Sequence, residues 1–239
     1  MQRWIAAPLL MLALSAFAAA PPELTLLTPS SHTMPFASFD NGELTGGVMK
    51  DIGEALAKRM GYRARFLVVP GKRVASVLKM GEADGLCFVV PGWINGKFNW
   101  TQPWIPAAGV IVANASAPYI KSIKVLAGER LGTVLGYRYP EIEAILGKTM
   151  LRDDAPTALH SLNKLAAGRT RYAIADQMTI EYHLRMNPSA PMRVDYTYVK
   201  YKASCAFSPE STVKFADVEK ALSGMAADGT IDSILSRYR

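Results

Sequence analysis

The chain is poor in the residues that build metal and redox centres. It holds three histidines, His32, His160 and His183, and two cysteines, Cys87 and Cys205. None of their spacings matches a zinc or iron–sulfur ligand pattern, so no metal is expected. Gly-x-Ser-x-Gly elbows and phosphate-cradling glycine loops are missing as well. That argues against the common nucleophilic hydrolases and nucleotide-dependent enzymes, and no cofactor is expected. Basic residues outnumber acidic ones, 27 to 20. However, they are scattered, and no Lys/Arg run tracks a nucleic-acid backbone, so nucleic acid is not an expected partner. The apolar run that follows Arg3 is too short and too alanine-rich to span a bilayer, which takes ~20 apolar residues.

That first run has another reading. Arg3 is the only charge before Glu23, and small residues in Ala-x-Ala form follow the apolar stretch. Residues 1–18 therefore read as a secretory signal peptide cut after Ala18. About 220 residues would remain, enough for two modest domains. Export makes a disulfide between Cys87 and Cys205 possible. Both lie in apolar strand-like runs, GLCFVV and ASCAF, so two buried thiols is the other reading.

Strand and helix signals alternate along the rest. ELTLLT (23–28), ARFLVV (64–69), GLCFVV (85–90), GVIVAN (109–114), RLGTVLG (130–136) and YAIAD (172–176) read as strands. DIGEALAKRMG (51–61), RVASVLKMG (73–81), YPEIEAILG (139–147) and QMTIEYHLRM (177–186) read as helices. In 154–168, Leu159, Leu162 and Leu165 share one helical face. VDYTYV (194–199) and ASCAF (203–207) read as two further strands, and two helices close the chain. The strand–helix–strand–helix–strand order occurs twice, over 23–90 and 109–176, which implies parallel sheets covered by helices. The fold class is α/β.

Four stretches carry a family resemblance. They are MPFASFDNGELTGGVMKDIGEALAKRMGYRARFLVV, VASVLKMGEADGLCFVV, ALHSLNKLAAGRTRYAIADQMTIEYHL and EKALSGMAADGTIDSILSRYR. In this order they resemble the periplasmic solute-binding proteins of amino-acid ABC importers, with the type II bilobal fold. The resemblance implies two lobes joined by two hinge strands: 19–104 with 199–239, and 105–198. It implies a periplasmic, monomeric protein that closes its lobes over a small-molecule ligand and presents it to an inner-membrane permease.

It also implies site residues. Asp176, ending YAIAD, matches a family Asp that pairs with a ligand amino group; its bland role is to cap the next helix. Gly136 and Arg138 fall in the loop that touches the ligand carboxylate, although a solvent-facing Arg138 is as consistent. The family's carboxylate-gripping Arg after the third strand is missing, with Lys97 nearby as a substitute or a solvated loop residue. Ser30 stands near the place of a first-strand Asp. Trp93 and Phe36 could form an aromatic wall for a flat or cationic group, or Trp93 could fill space. Trp100 and Trp104 complete the tryptophan-rich stretch PGWINGKFNWTQPW. The main expectation is a binding protein for a small polar solute, an amino acid or a related amine or carboxylate, and not an enzyme. A dehydratase on the same fold, with Asp176, Glu181 or His32 as acid or base, is one alternative. A sensory module working through a separate protein is the other.

Overall fold

The computed structural model describes residues 20–239, and the proposed signal segment lies outside them. The elements in chain order are β1 (Glu23–Pro29), β2 (Ser38–Asp40), β3 (Glu43–Gly46), α1 (Val48–Met60), β4 (Arg63–Val69), α2 (Val74–Lys79), β5 (Gly85–Val89), β6 (Asn99–Trp100) and β7 (Ile105–Asn114). Then follow β8 (Arg130–Val134), α3 (Pro140–Leu146), β9 (Leu151–Ala155), α4 (Ala158–Ala166), β10 (Tyr172–Asp176), α5 (Gln177–Met186), β11 (Met192–Phe207), α6 (Phe215–Ala227) and α7 (Thr230–Ser236).

The main strands hydrogen-bond in the order β4-β1-β5-β11-β7-β10-β8-β9. β1 runs parallel to β4 and β5, and β8 runs parallel to β9 and β10. Parallel pairs need helical crossovers, which α1 to α4 supply. The middle is antiparallel. β11 pairs with β5 through Ser204–Phe207 and with β7 from Met192 to Ala203, so one long strand ties the two halves together.

Burial follows this arrangement. Leu24, Leu27, Ile52, Leu56, Leu78, Phe207 and Leu222 form the core of the first half. In the second half β7 is covered on both faces. Ile111 and Ala113 join the cluster under α3, while Val110 and Val112 join Leu162, Leu165 and Ile180 under α4 and α5. A strand whose alternate residues meet two helical layers reads as a continuous apolar run, which is why GVIVAN shows no alternation.

Helix α1 illustrates the local logic. Val48, Met49, Ile52 and Leu56 form its buried face. Lys58 and Arg59 lie in its last turn, where they meet the negative helix end. Gly61 ends it at φ 75° and donates to the carbonyls of Ala57 and Lys58, a conformation that favours glycine.

Three expectations need correction. VDYTYV and ASCAF are one continuous strand, because Lys200, Tyr201 and Lys202 between them pair with Ala108, Ala107 and Pro106. The outward lysines disguise a ladder that continues through them. Leu159 is exposed rather than part of the α4 face, which turns Ser161, Leu162 and Leu165 inward. Strand β9, LRDDA, was not anticipated. It is an edge strand, paired only with β8, and its charges are held in ion pairs, Asp153 with Lys164 of α4 and Arg152 with Asp154.

The cysteines stand opposite each other in the β5–β11 pairing and are joined, with an S–S distance of 2.00 Å. No helix among the described residues is long and apolar enough to cross a membrane.

Candidate functional site

A cavity of about 150 Å³ lies where the C-terminal ends of the parallel strands of the two halves face one another. The first half contributes His32, Thr33, Phe36, Phe88 and Trp93 to its lining. The second contributes Gly136, Tyr137, Arg138, Asp176 and Tyr198, and Tyr201 enters from the long strand between them. Strand ends are where ligands sit in open parallel sheets, since loops and helix starts converge there.

Asp176 is the last residue of β10 and the N-cap of α5. Its Oδ1 accepts the backbone N–H of Met178 at 2.8 Å, and its Oδ2 accepts the Tyr201 hydroxyl at 3.1 Å. It therefore caps the helix and lines the cavity together. Burial pushes its carboxyl up to about 7; hydrogen bonds from the Met178 backbone, the Tyr201 hydroxyl and the Thr179 backbone oppose that rise, and the Glu181 charge adds to it. Burial also pushes the Tyr201 phenol above its usual range, with the Asp176 charge adding to the effect. Burial lowers His32 to about 4, so its imidazole is neutral near pH 7. It raises Tyr137 to about 12.

The walls are aromatic. Trp93 meets Tyr201 edge-on, with ring centroids 5.3 Å apart. Phe36 packs on Phe88 at 4.1 Å. His32 stands edge-on to Phe36 at 5.7 Å and reaches across to Tyr137 at 5.9 Å. Tyr198 owes its position to a bulge in β11. Thr197 pairs with Val110 and Val199 with Gly109, leaving Tyr198 unpaired between them. Its ring lies over Gly109, where any Cβ would fall 2.3 Å from the Tyr198 Cζ. A bulge re-aims a side chain in this way.

The halves touch around the cavity. Arg138 Nη1 donates to Asn95 Oδ1 at 2.9 Å, and the Ala158 N–H donates to the Ser31 carbonyl at 3.4 Å. Gly136, at φ 85°, approaches so closely that a Cβ would sit 3.1 Å from the Lys72 backbone nitrogen. The loop carrying Gly136 and Arg138 is held from behind by Arg152 of β9, which donates to the carbonyls of Val134 and Tyr137 at 3.0 Å each. The unanticipated edge strand thus shapes the rim of the site.

Of the residues singled out from the sequence, Asp176, Arg138, Trp93, Phe36 and Gly136 line the cavity. Ser30 and Lys97 do not. Ser30 is exposed, with its backbone N–H turned to the Val69 carbonyl, and Lys97 is exposed on its loop. On that same loop Asn95, two residues earlier, makes the contact with Arg138. Sequence reading passed over Phe88, Tyr137, Tyr198 and Tyr201. The alternating tyrosines of VDYTYVKY were a visible signal, but the bulges that orient them were not. Among the described residues, no group of three or more His, Cys, Asp or Glu is placed to hold a metal ion.

Two parallel-sheet halves joined through antiparallel strands, with a cavity at their strand ends, define the type II periplasmic-binding fold. Residues 28–239 match the bacterial extracellular solute-binding proteins, family 3, and the chain belongs to that family. Solved structures share the architecture at low identity. An ancestral arginine-binding protein bound to arginine is 21% identical, with a TM-score of 0.78, over 92% of this chain and 99% of that one. The arginine-, lysine-, histidine-binding protein ArtJ from Geobacillus stearothermophilus is 18% identical, with a TM-score of 0.75, over 90% and 94%. An ancestral amino-acid-binding protein described as a precursor of cyclohexadienyl dehydratase is 18% identical, with a TM-score of 0.75, over 90% and 95%. No curated protein sequence matches the chain.

Proposed function

We propose that this protein captures a small polar solute, an amino acid or a related amine or carboxylate, in the cavity around Asp176 and delivers it to an ABC permease from the periplasm. Residues 19–104 with 199–239 act as one jaw and 105–198 as the other. The observation that carries this reading is the placement of Asp176, a half-buried carboxylate, in a cavity lined by residues of both halves. Ligand contacts made from both jaws exist together only when the jaws are shut, so binding shifts the population toward the closed form. A leader ending near Ala18 and the disulfide between Cys87 and Cys205 both suit an oxidising compartment outside the cytoplasm.

The test is to purify the protein from periplasm without refolding and identify retained solutes by native mass spectrometry. Adding that solute to ligand-free protein is expected to shrink its radius of gyration in solution, and deleting the gene is expected to abolish uptake of the solute. Purified protein that retains nothing and never contracts overturns the reading.

A second reading is dehydration of a prephenate-like acid on the same fold. The raised Asp176 carboxyl favours it, since a group half-protonated near neutral pH is suited to general acid–base work. Turnover of such an acid by purified protein decides between the two.

A further inference from the structure

Gly109 stands in the middle of β7 without a side chain, opposite Asp176 of β10 on one side and Val199 of β11 on the other. A glycine inside a strand weakens it, and often marks a close approach by another group. Here that group is a ring. The three atoms nearest to the point where a Cβ would stand all belong to Tyr198: Cζ, the hydroxyl oxygen and Cε1, the farthest at 2.8 Å. The tip of the phenol therefore rests on the bare backbone of Gly109, and both residues line the cavity.

The ring is placed there by its strand. Tyr198 falls at the bulge between Thr197, opposite Val110, and Val199, opposite Gly109. It packs against the apolar cluster that contains Ile111 and Ile174. Burial holds its phenol above the usual range, with the Glu141 and Asp176 charges adding to the effect, so the ring stays neutral and acts through its bulk. That bulk is large for the space. The cavity's volume of about 150 Å³ is on the scale of one benzene ring. Taking a ring away from its floor changes its capacity by an amount comparable with the whole.

We propose that Tyr198 is a specificity-determining residue: admitted by the missing side chain of Gly109, its ring sets the upper size of the solute the cavity takes. The proposal rests on the solute-capture reading above and adds what limits the solute's size, whichever charged group that solute carries.

The experiment titrates one homologous series calorimetrically into ligand-free protein, the straight-chain L-amino acids from alanine to 2-aminooctanoate. Each methylene that finds apolar contact is worth roughly fourfold in affinity. Affinity should climb along the series until the chain outgrows the space, and then fall. Tyr198→Ala is expected to move this optimum by about two methylenes or more toward longer chains. Tyr198→Phe keeps the ring and is expected to leave the optimum where it is. The Gly109 backbone is outside the left-handed region, so alanine there collides only with the ring and pushes it into the cavity. Gly109→Ala should weaken binding at the wild-type optimum roughly tenfold, as overpacking does. Adding Tyr198→Ala to it should bring back the long-chain optimum, because no ring is left to displace. A purely structural role for Tyr198 would lower all affinities together and leave the optimum in place. Should Tyr198→Ala fail to melt cooperatively, Tyr198→Leu, smaller and still apolar, is expected to shift the optimum in the same direction.

An optimum unmoved in the folded variant overturns the proposal. So does an equal shift in Tyr198→Phe, a wild-type profile in Gly109→Ala, or a double variant that binds no better than Gly109→Ala. Wild type that binds no member of the series overturns it too. A solute retained on protein from periplasm leaves capture standing in each of these cases. Protein that retains nothing and contracts with no member of the series overturns both.

Discussion

Arg138 reaches out of the loop after β8 to Asn95 in the tryptophan-rich loop after β5, and their 2.9 Å hydrogen bond bridges the two halves at the mouth of the cavity. Both side chains are exposed, so the bond is worth about 0.5–1 kcal/mol at most. Asn95→Ala and Arg138→Gln should each weaken solute binding roughly twofold to fivefold and leave the melting temperature nearly unchanged. Calorimetric titration beside thermal denaturation checks this. A large loss of thermal stability with unchanged affinity would show the bond to be part of the fold rather than of closure.

Gly136 should tolerate no side chain. Its φ of 85° disfavours any Cβ, and the added methyl would meet the Lys72 backbone of the opposite half at 3.1 Å. The conformation alone costs an L-residue ~1–2 kcal/mol. Gly136→Ala is therefore expected to favour the open form and to weaken binding roughly tenfold. Solution scattering of the variant with saturating solute should show incomplete contraction.

The Asp176 carboxyl has a folded value of about 7 against an ordinary 3.8. A raised carboxyl keeps its proton in the native state at pH values where the unfolded chain has lost it. Its contribution is fully present below 3.8 and is lost as pH rises through about 7. The groups that face it are Tyr201 and Tyr198 on β11, Tyr137 on the β8 loop and Glu181 on α5, and the phenols stay neutral across this window. Urea denaturation of ligand-free protein across this range should therefore show wild type losing stability relative to Asp176→Asn as pH increases. A parallel pair of curves would contradict the assignment.

Removing the bridge should destabilise the protein without changing its shape. Cys87 and Cys205 are 118 residues apart, so the bridge closes a long loop in the unfolded chain. Such a link typically contributes about 2–5 kcal/mol. The double variant Cys87→Ser, Cys205→Ser should unfold at lower urea than wild type, and a reducing agent should erase the difference.

Trp93→Ala tests the aromatic wall. The indole meets Tyr201, the same residue that donates to Asp176. For a cationic solute the loss should be about 0.5–2 kcal/mol of binding, from the cation–π contact alone. Identical affinities in wild type and variant would reduce Trp93 to a filler of space.

Much of the architecture was legible before any coordinates. Ile52 and Leu56 on one helical stripe, Pro140 at a helix start and the unbroken apolar run of GLCFVV are local patterns, because secondary structure repeats over three or four residues. The fold class followed from their alternation. Where reading failed, the pattern was not local. LRDDA looks like loop because three of its five residues are charged, and only pairing with β8 makes it a strand. The lysines of VKYKAS hid a ladder that depends on β7.

The site divides along the same line. Asp176 could be singled out from a strand end followed by a helix, a signal contained in a few residues. That Tyr201 donates to it, that Asn95 rather than Lys97 meets the opposite half, and that Arg152 braces the rim from an edge strand were invisible in the order of residues. The sequence by itself determined the succession of helices and strands, since hydrophobic periodicity and turn chemistry act between near neighbours. Only the tertiary structure decided which side chains share the cavity, because those contacts join residues far apart in the chain whose meeting depends on how both halves pack.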